Sequence, residues 1–221
     1  MKQMECLMQR LRLNFSRGEA VKYISHLDIM RLWQRAFVRA GITLAYTEGF
    51  NPHPRMAIAA PLALGVIAEA ELMDVFIGRY ISPDAFQVAV TGELPAGMGI
   101  NQVLQVSPLL PSLQASLSFA EYEVSVSTDK TRAGVQKDID NLLALEELPW
   151  QHQRDTGPRR YDIRTLVDNI WVAAWQHGNA WLGMRLRCDS GGSGRPEQVT
   201  AATGFKNYPE AIHRTRLILR S

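Results

Sequence analysis

The sequence is poor in cysteine, since its 221 residues include only Cys6 and Cys188. The two lie far apart, and neither belongs to a CxxC pair or stands beside a cluster of histidines. This pattern excludes a disulfide framework and the ligand spacing of a structural zinc site. We therefore expect a protein of a reducing compartment that holds no metal and no other cofactor.

Long apolar segments are also missing. The first twelve residues include Glu5 and lack the apolar core of a signal peptide. The uncharged run 94–120 is long enough to cross a bilayer, but it contains three prolines and two glycines. We interpret this run as strand, connector and loop, because proline and glycine break a membrane-spanning helix. A cytoplasmic location is the resulting expectation.

The formal net charge is only +2, but the charge is unevenly distributed along the chain. Residues 1–65 carry nine basic and four acidic residues, residues 66–150 carry four and twelve, and residues 151–221 carry eleven and six. The ends are basic and the middle is acidic. Such asymmetry is typical either of a polyanion-binding face opposite a partner-binding face or of ordinary solvated surface.

Hydrophobic periodicity predicts the order β-α-β-β-α-β for the first half of the chain. A strand is predicted around 11–15, and the next helix begins after Ser25, which forms a capping-box pattern with Asp28. The remaining predicted elements are a hairpin over 56–64 and 70–77, a helix opened by Pro83 and a strand near 100–106. This is the ferredoxin-like order.

The second half is predicted to repeat this arrangement after a connector. Residues 107–120 contain Pro108, Pro111 and several serines but no charge, which indicates an extended linker. The following predicted elements are strand 122–127, helix 132–145, strands 163–174 and 181–187, helix 197–203 and strand 214–219. The sequence therefore predicts an α+β protein with two ferredoxin-like halves in tandem, 1–106 and 121–221, joined by the 107–120 linker.

The stretch 49–56, Gly-Phe-Asn-Pro-His-Pro-Arg-Met, crowds polar and turn-forming residues between two apolar elements. Its two prolines make the loop stiff, so it presents His53 and Arg55 in defined directions. His26 occupies the first turn of the preceding helix. The two histidines are candidates for acid and base chemistry, and the alternative is a surface or packing role for each.

Arginines are the candidate nucleic-acid contacts. Arg31, Arg35 and Arg39 recur at i, i+4 and i+8, which indicates a solvated helix face or a row of phosphate contacts. Arg55 is interpreted equally as an anion site or as a clamp on Glu48 or Asp28. We expect these four arginines to share one face with Arg195, and His26 and His53 to approach one pocket.

Two further patterns are weaker. The segment 191–196 is glycine-rich and precedes a helix, but it matches neither common phosphate-loop motif, so a flexible turn is expected and only Arg195 keeps an anion site open. The tryptophans Trp171, Trp175 and Trp181 lie on predicted strands and are expected in the core, with base stacking as the alternative. No RNP1-like aromatic sequence predicts stacking on a sheet as in the RRM fold.

Several blocks of the chain resemble a known family. They are Leu13–Gly18, Tyr23–Arg31, Arg39–Gly41, Tyr46–Met56 and Pro61–Val66, in order and at the right spacing, followed by Asp162–Arg164, Gly194–Glu197 and Arg214–Leu217. The chain thereby resembles the DUF2344 group, also called radical-SAM-linked proteins. The resemblance implies a protein encoded beside, or fused to, a radical-SAM enzyme. The chain has no CxxxCxxC, so it resembles the companion of such an enzyme and not the catalyst.

Three functions follow as hypotheses. The favoured one is a cytoplasmic accessory subunit that binds RNA and acts with a radical-SAM enzyme in RNA modification or processing. The second is a stand-alone RNA-processing enzyme that uses His26 and His53, although no activated nucleophile accompanies them. The third is a pure docking subunit, which contacts its partner enzyme through the acidic middle segment and binds no nucleic acid.

Overall fold

The computed structural model describes residues 8–154, 157–176 and 178–220. The chain forms two compact units, with the boundary between Ser116 and Leu117. Each unit combines an antiparallel sheet with helices, so the α+β class predicted from the sequence is confirmed.

The first unit builds a four-stranded antiparallel sheet. Its elements are β1 (Gln9–Arg17), α1 (His26–Arg39), β2 (Met56–Ile58), β3 (Ile67–Ile77), α2 (Pro83–Thr91), β4 (Met98–Val106) and the short α3 (Leu113–Ser116). The strands lie in the order β2-β3-β1-β4. The order of the first six elements is the one predicted from the sequence.

Helices α1 and α2 cover one face of this sheet. The ring of Trp33 on α1 contacts Phe15 of β1 and Phe37, with ring centroids 5.1 and 5.4 Å apart. Phe37 in turn contacts Phe86 of α2. All four rings are fully buried, so this aromatic cluster fixes how α1 lies on the sheet and which side of the helix faces solvent.

The segment 107–120 differs from the extended linker expected from its composition. Residues 113–116 form α3, and strand β5 begins at Leu117. Leu113 and Leu117 are both buried. Burying a leucine side chain stabilises the fold by about 1.5–3 kcal/mol. This free energy outweighs the preference of serine and proline for extended structure.

The main strands of the second unit are also antiparallel, and this unit contains a separate hairpin. Its elements are β5 (Leu117–Ser127), α4 (Arg132–Ala144), β6 (Pro149–Arg154), β7 (Gly157–Asp162), β8 (Val167–Gln176), β9 (Asn179–Asp189), β10 (Gly192–Ser193), α5 (Pro196–Ala202) and β11 (Ala211–Leu219). The main strands lie in the order β8-β9-β5-β11, with β10 also on β9, and β6 pairs with β7 alone.

The second unit differs from its prediction in two places. The β6–β7 hairpin was not predicted, because its residues are mostly polar and give no alternating apolar signal. The strand predicted from Ile163 begins only at Val167, since Asp162 turns the chain: its Oδ1 accepts hydrogen bonds from the N–H groups of Leu148 and Arg164. In the described chain, no helix has the length and apolar composition needed to span a bilayer.

Candidate nucleic-acid interface

The three α1 arginines line one shallow groove on the exposed side of the helix. Gln34 and Val38 complete the lining of this groove. Because the helix rises about 1.5 Å per residue, Arg31 and Arg39 are about 12 Å apart along its axis. The predicted row of arginines therefore exists as one continuous surface, which we call the α1 face (Arg31, Gln34, Arg35, Val38 and Arg39).

Two of these arginines form ion pairs at the protein surface. Arg31 Nη1 lies 2.9 Å from Asp28 Oδ1, and Arg39 Nε lies 2.7 Å from Glu93 Oε2. Arg39 also donates to the main-chain oxygen of Glu93. Arg35 is exposed and forms no ion pair within the described chain, although its charge helps to lower the pKa of Asp28. Exposed pairs contribute only about 0–1 kcal/mol, so an RNA phosphate can replace these carboxylates at low cost.

The start of α1 is fixed by the predicted cap. Ser25 Oγ accepts a hydrogen bond from the Asp28 N–H at 3.2 Å and donates to Asp28 Oδ2 at 2.8 Å. The Ser25 hydroxyl, followed by the Arg31 guanidinium, lowers the pKa of Asp28 below its ordinary value. Asp28 therefore stays ionised at neutral pH, and the helix N-terminus that orients the α1 face keeps its cap.

The loop between α1 and β2 is closed by main-chain bonds. Ala45 accepts from Arg55 N–H, Thr47 N–H donates to His53, and His53 N–H donates to Thr47 Oγ1, at distances of 2.8–3.0 Å. Gly49 sits at the tip with φ of +116°, which favours glycine. This closed loop holds the side chain of Phe50 fully in solvent. The ring is therefore accessible to a binding partner.

Arg55 stands at the base of this loop, where its side chain packs against β3. Its guanidinium lies over the ring of Phe76, 4.3 Å from the centroid, and its Nη1 contacts Met8 Sδ. In the described chain it forms no ion pair with Glu48 or Asp28, so that clamp is not formed there, and the alternative role of Arg55 as an anion site stays a prediction. A half-buried guanidinium stacked on an aromatic ring ties the loop to β3.

The two candidate histidines are placed differently. His26 is the first residue of α1 and is half-buried, whereas His53 is exposed on the loop. Within the residues that the structure describes, neither imidazole forms a hydrogen bond to a carboxylate that would orient it as a general base. Nor does this part of the chain contain a group of three or more acidic, histidine or cysteine side chains placed to hold a metal. The approach of His26 and His53 to a common pocket stays a prediction.

Arg195 belongs to the second unit, where it precedes α5. Its side chain is exposed, with Nη1 3.9 Å from Glu197 Oε1. Nearby, burial and the Glu197 carboxylate raise the pKa of Tyr208, while Arg195 opposes that shift. Arg195 also lines a polar cleft with Asp189 and Gln198. The common face of Arg195 with the first-unit arginines stays a prediction.

Sequence reasoning missed a buried ion cluster on the face of the first sheet opposite α1. Arg10 Nε and Arg12 Nε donate to the Asp74 carboxylate at 2.9 and 2.8 Å. Arg10 also donates to the main-chain oxygens of Leu110 and Pro111 at 2.6 and 2.8 Å. The cluster thus anchors the 107–111 segment to the sheet. Charged residues alternating with buried leucines along β1 were the available signal.

The prediction that Trp171, Trp175 and Trp181 lie in the core is wrong, since none of them is fully buried. The side chain of Trp171 is 38% exposed, whereas Trp175 and Trp181 are half-buried. Trp171 on β8 is paired with Gly183 on β9. The missing side chain at Gly183 leaves room for the indole to lie flat on the outer side of the sheet, away from the core.

Comparison with known proteins identifies a family. The family model described as "Uncharacterized protein conserved in bacteria (DUF2344)" matches residues 10–196. No curated protein is significantly similar to the chain.

Comparison with solved structures shows only a shared fold. The chain is similar to one in a structure described as a Cbf5-Nop10-Gar1 complex, with 10% identity and a TM-score of 0.50 over 97% of this chain and 50% of that one. It also matches a chain of an H/ACA RNP bound to a substrate RNA containing 2'-deoxyuridine, with 11% identity, a TM-score of 0.46 and coverage of 98% and 49%. This chain spans about half the length of those it matches.

Proposed function

We propose that this chain, which belongs to the DUF2344 family, is a cytoplasmic accessory protein that binds RNA and acts with a radical-SAM enzyme in RNA modification or processing. The proposed RNA contact rests on the α1 face. Three exposed arginines line a single groove there, and in the described chain Arg35 forms no ion pair. Arginine is suited to phosphate because its planar guanidinium donates several hydrogen bonds at once.

We also infer that both units are variants of the ferredoxin-like arrangement. In each unit the first strand lies between the third and the last strand of the β-α-β-β-α-β series, and neighbouring strands are antiparallel. The second unit differs by the β6–β7 hairpin, which follows α4. An accessory role is consistent with such a scaffold, because this order of elements occurs in many unrelated binding modules and carries no chemistry of its own.

A pure docking role is the second candidate. It is favoured by the loop between α1 and β2 that carries Phe50, which we call the Phe50 loop. Phe50 is fully exposed, and Tyr23 and Leu27 near the start of α1 are exposed as well. Exposed aromatic side chains such as those of Phe50 and Tyr23 are enriched at protein–protein contacts. The two functions are compatible, since an accessory subunit needs one surface for its enzyme and another for its substrate.

Salt-dependent RNA binding tests the RNA contact. Replacement of Arg31, Arg35 and Arg39 by alanine should weaken binding of labelled single-stranded RNA. It should also lower the slope of log affinity against log salt by about 2, since each single-strand phosphate contact contributes about 0.7. The contrast with the wild type is measured by fluorescence anisotropy across a salt series.

Two matched variants control this experiment. A variant with Arg79, Arg132 and Lys137 replaced by alanine loses the same charge from exposed positions outside the α1 face and should keep the wild-type slope. Phe50→Ser should also keep it, while weakening capture of the enzyme partner. Equal slopes for the α1 variant and the wild type would remove the α1 face as the RNA contact.

A further inference from the structure

The outer side of the second sheet carries two clusters in which one carboxylate serves two arginines. Glu121 Oε1 lies 3.0 Å from Arg185 Nε, and Glu121 Oε2 lies 2.9 Å from Arg216 Nη2. Arg185 additionally lies 3.4 Å from Asp168. These residues come from β5, β8, β9 and β11, so the first cluster spans the width of the main sheet.

The second cluster is centred on Asp189. Arg187 Nε donates to both oxygens of Asp189 at 2.9 and 3.0 Å, and Arg220 Nη2 lies 3.2 Å away. Burial alone would raise the pKa of Asp189, but hydrogen bonds from Arg187 and from the Gly191 N–H lower it overall. With two guanidinium groups on one ionised carboxylate, this cluster has a net charge of +1.

The arginines, and not the central carboxylates, are the groups presented to solvent. The side chains of Glu121 and Asp189 are only 16% and 10% exposed, whereas those of the four arginines are 39% to 61% exposed. Arg185 and Arg187 are two residues apart on β9, which separates the clusters by about 7 Å along the strand. Four arginines face three carboxylates in the two clusters, and the exposed Glu123, paired with Gly183, adds a fourth carboxylate to this face, so its charges balance and its exposed guanidinium groups are the available donors.

Trp171 completes this surface. An added Cβ at Gly183 would lie 2.0 Å from Trp171 Cε2 and 2.4 Å from Nε1, which places the indole directly on the glycine. Gly183 precedes Arg185 by two positions on β9, so the tryptophan and the arginines share one face. One side of the ring is covered by the strand, and the exposed part of the ring faces away from it. We call this surface the outer sheet face (Trp171, Gly183, Arg185, Arg187, Arg216 and Arg220).

We propose that the outer sheet face binds single-stranded RNA, with one unpaired base stacked on Trp171 and the adjoining phosphates on the two arginine clusters. The inference rests on the proposed RNA-binding function and adds a second site to it. A base is flat and aromatic and stacks on an indole irrespective of its identity, while guanidinium groups bind phosphate. Tryptophan and arginine are also enriched at protein interfaces, so the experiments below are designed to separate RNA binding from protein docking.

Stacking is tested with the full-length protein and labelled oligouridine and oligoadenosine single strands. Trp171→Ala should weaken binding about 5- to 100-fold, the loss typical of one stacked base, and Trp171→Phe should retain most of the affinity because it keeps a ring. Urea unfolding should be similar for the three proteins, since Trp171 is not a core residue. Unchanged RNA affinity of Trp171→Ala would overturn the proposal.

The phosphate contacts are tested separately by the double variant Arg216→Gln and Arg220→Gln. It leaves Arg185 on Glu121 and Arg187 on Asp189, so neither carboxylate loses its last partner. Its salt slope should fall by about 1.4 for two lost contacts. The control double variant, Arg79→Gln and Arg132→Gln, loses the same charge elsewhere and should keep the wild-type slope.

The outcomes separate this proposal from the proposed function. If the α1 variant loses affinity while the outer-face variants do not, RNA binding stands and the outer sheet face is rejected. If wild-type protein binds no RNA at low salt, both are rejected. If Trp171→Ala keeps RNA affinity but loses capture of the enzyme partner, the face docks protein and the proposal is wrong.

Discussion

Asp74→Asn is expected to destabilise the first unit by about 3–5 kcal/mol, the usual cost of removing one partner of a buried ion pair. Asp74 and Arg10 are almost fully buried, and Arg12 is mostly buried. The asparagine leaves two guanidinium groups without a countercharge in a region that water hardly reaches. Arg10 also holds the 107–111 segment, so the loss extends beyond the sheet.

The measurement is urea unfolding followed by far-UV circular dichroism. Glu48→Gln is the matched control, because it removes a carboxylate from the same unit at an exposed position and should change stability by less than about 0.5 kcal/mol. A loss below about 1 kcal/mol for Asp74→Asn would show that the cluster is far better hydrated than its burial indicates.

Trp33→Ala is expected to cost about 3–5 kcal/mol, because it removes a fully buried aromatic ring and leaves a cavity. The ring packs between Phe15 and Phe37 and anchors α1 to the sheet. The α1 face depends on this anchor. We therefore expect weaker RNA binding by the same variant, although Trp33 does not line the groove.

Trp33→Phe should cost clearly less than Trp33→Ala. The indole Nε1 is buried and has no hydrogen-bond partner among the described residues, so its removal relieves an unsatisfied donor and offsets part of the lost packing. Val38→Ala, on the exposed side of the same helix, is the control and should stay within about 0.5 kcal/mol of wild type. Equal losses of stability for Trp33→Phe and Trp33→Ala would contradict both the packing of an aromatic ring at this position and the cost of the unsatisfied indole N–H.

The elements with strong local signals could be predicted from the sequence. Helix α1 has an N-cap at Ser25 and apolar residues at helical spacing, and it begins directly after Ser25, as predicted. The strands of the first unit were found because their buried residues alternate. Local capping and periodicity decide such elements before any tertiary contact forms.

The features that depend on strand register could not be predicted. Asp74 meets Arg12 because β1 and β3 pair in one register, across a separation of 62 residues. Trp171 is exposed because the β8–β9 register places it on Gly183. A one-residue slip would move either side chain to the opposite face, and hydrophobic pattern alone does not give the pairing.

Ultraviolet crosslinking in the cells that make this protein tests RNA binding most directly. The tagged wild-type protein is compared with the variant in which Arg31, Arg35 and Arg39 are alanine, at equal expression. We predict that RNA is recovered covalently attached to the wild-type protein and much less to the variant, and sequencing of that RNA identifies the substrate. No RNA above an untagged background would contradict the proposed function and leave the docking role supported by the Phe50 loop.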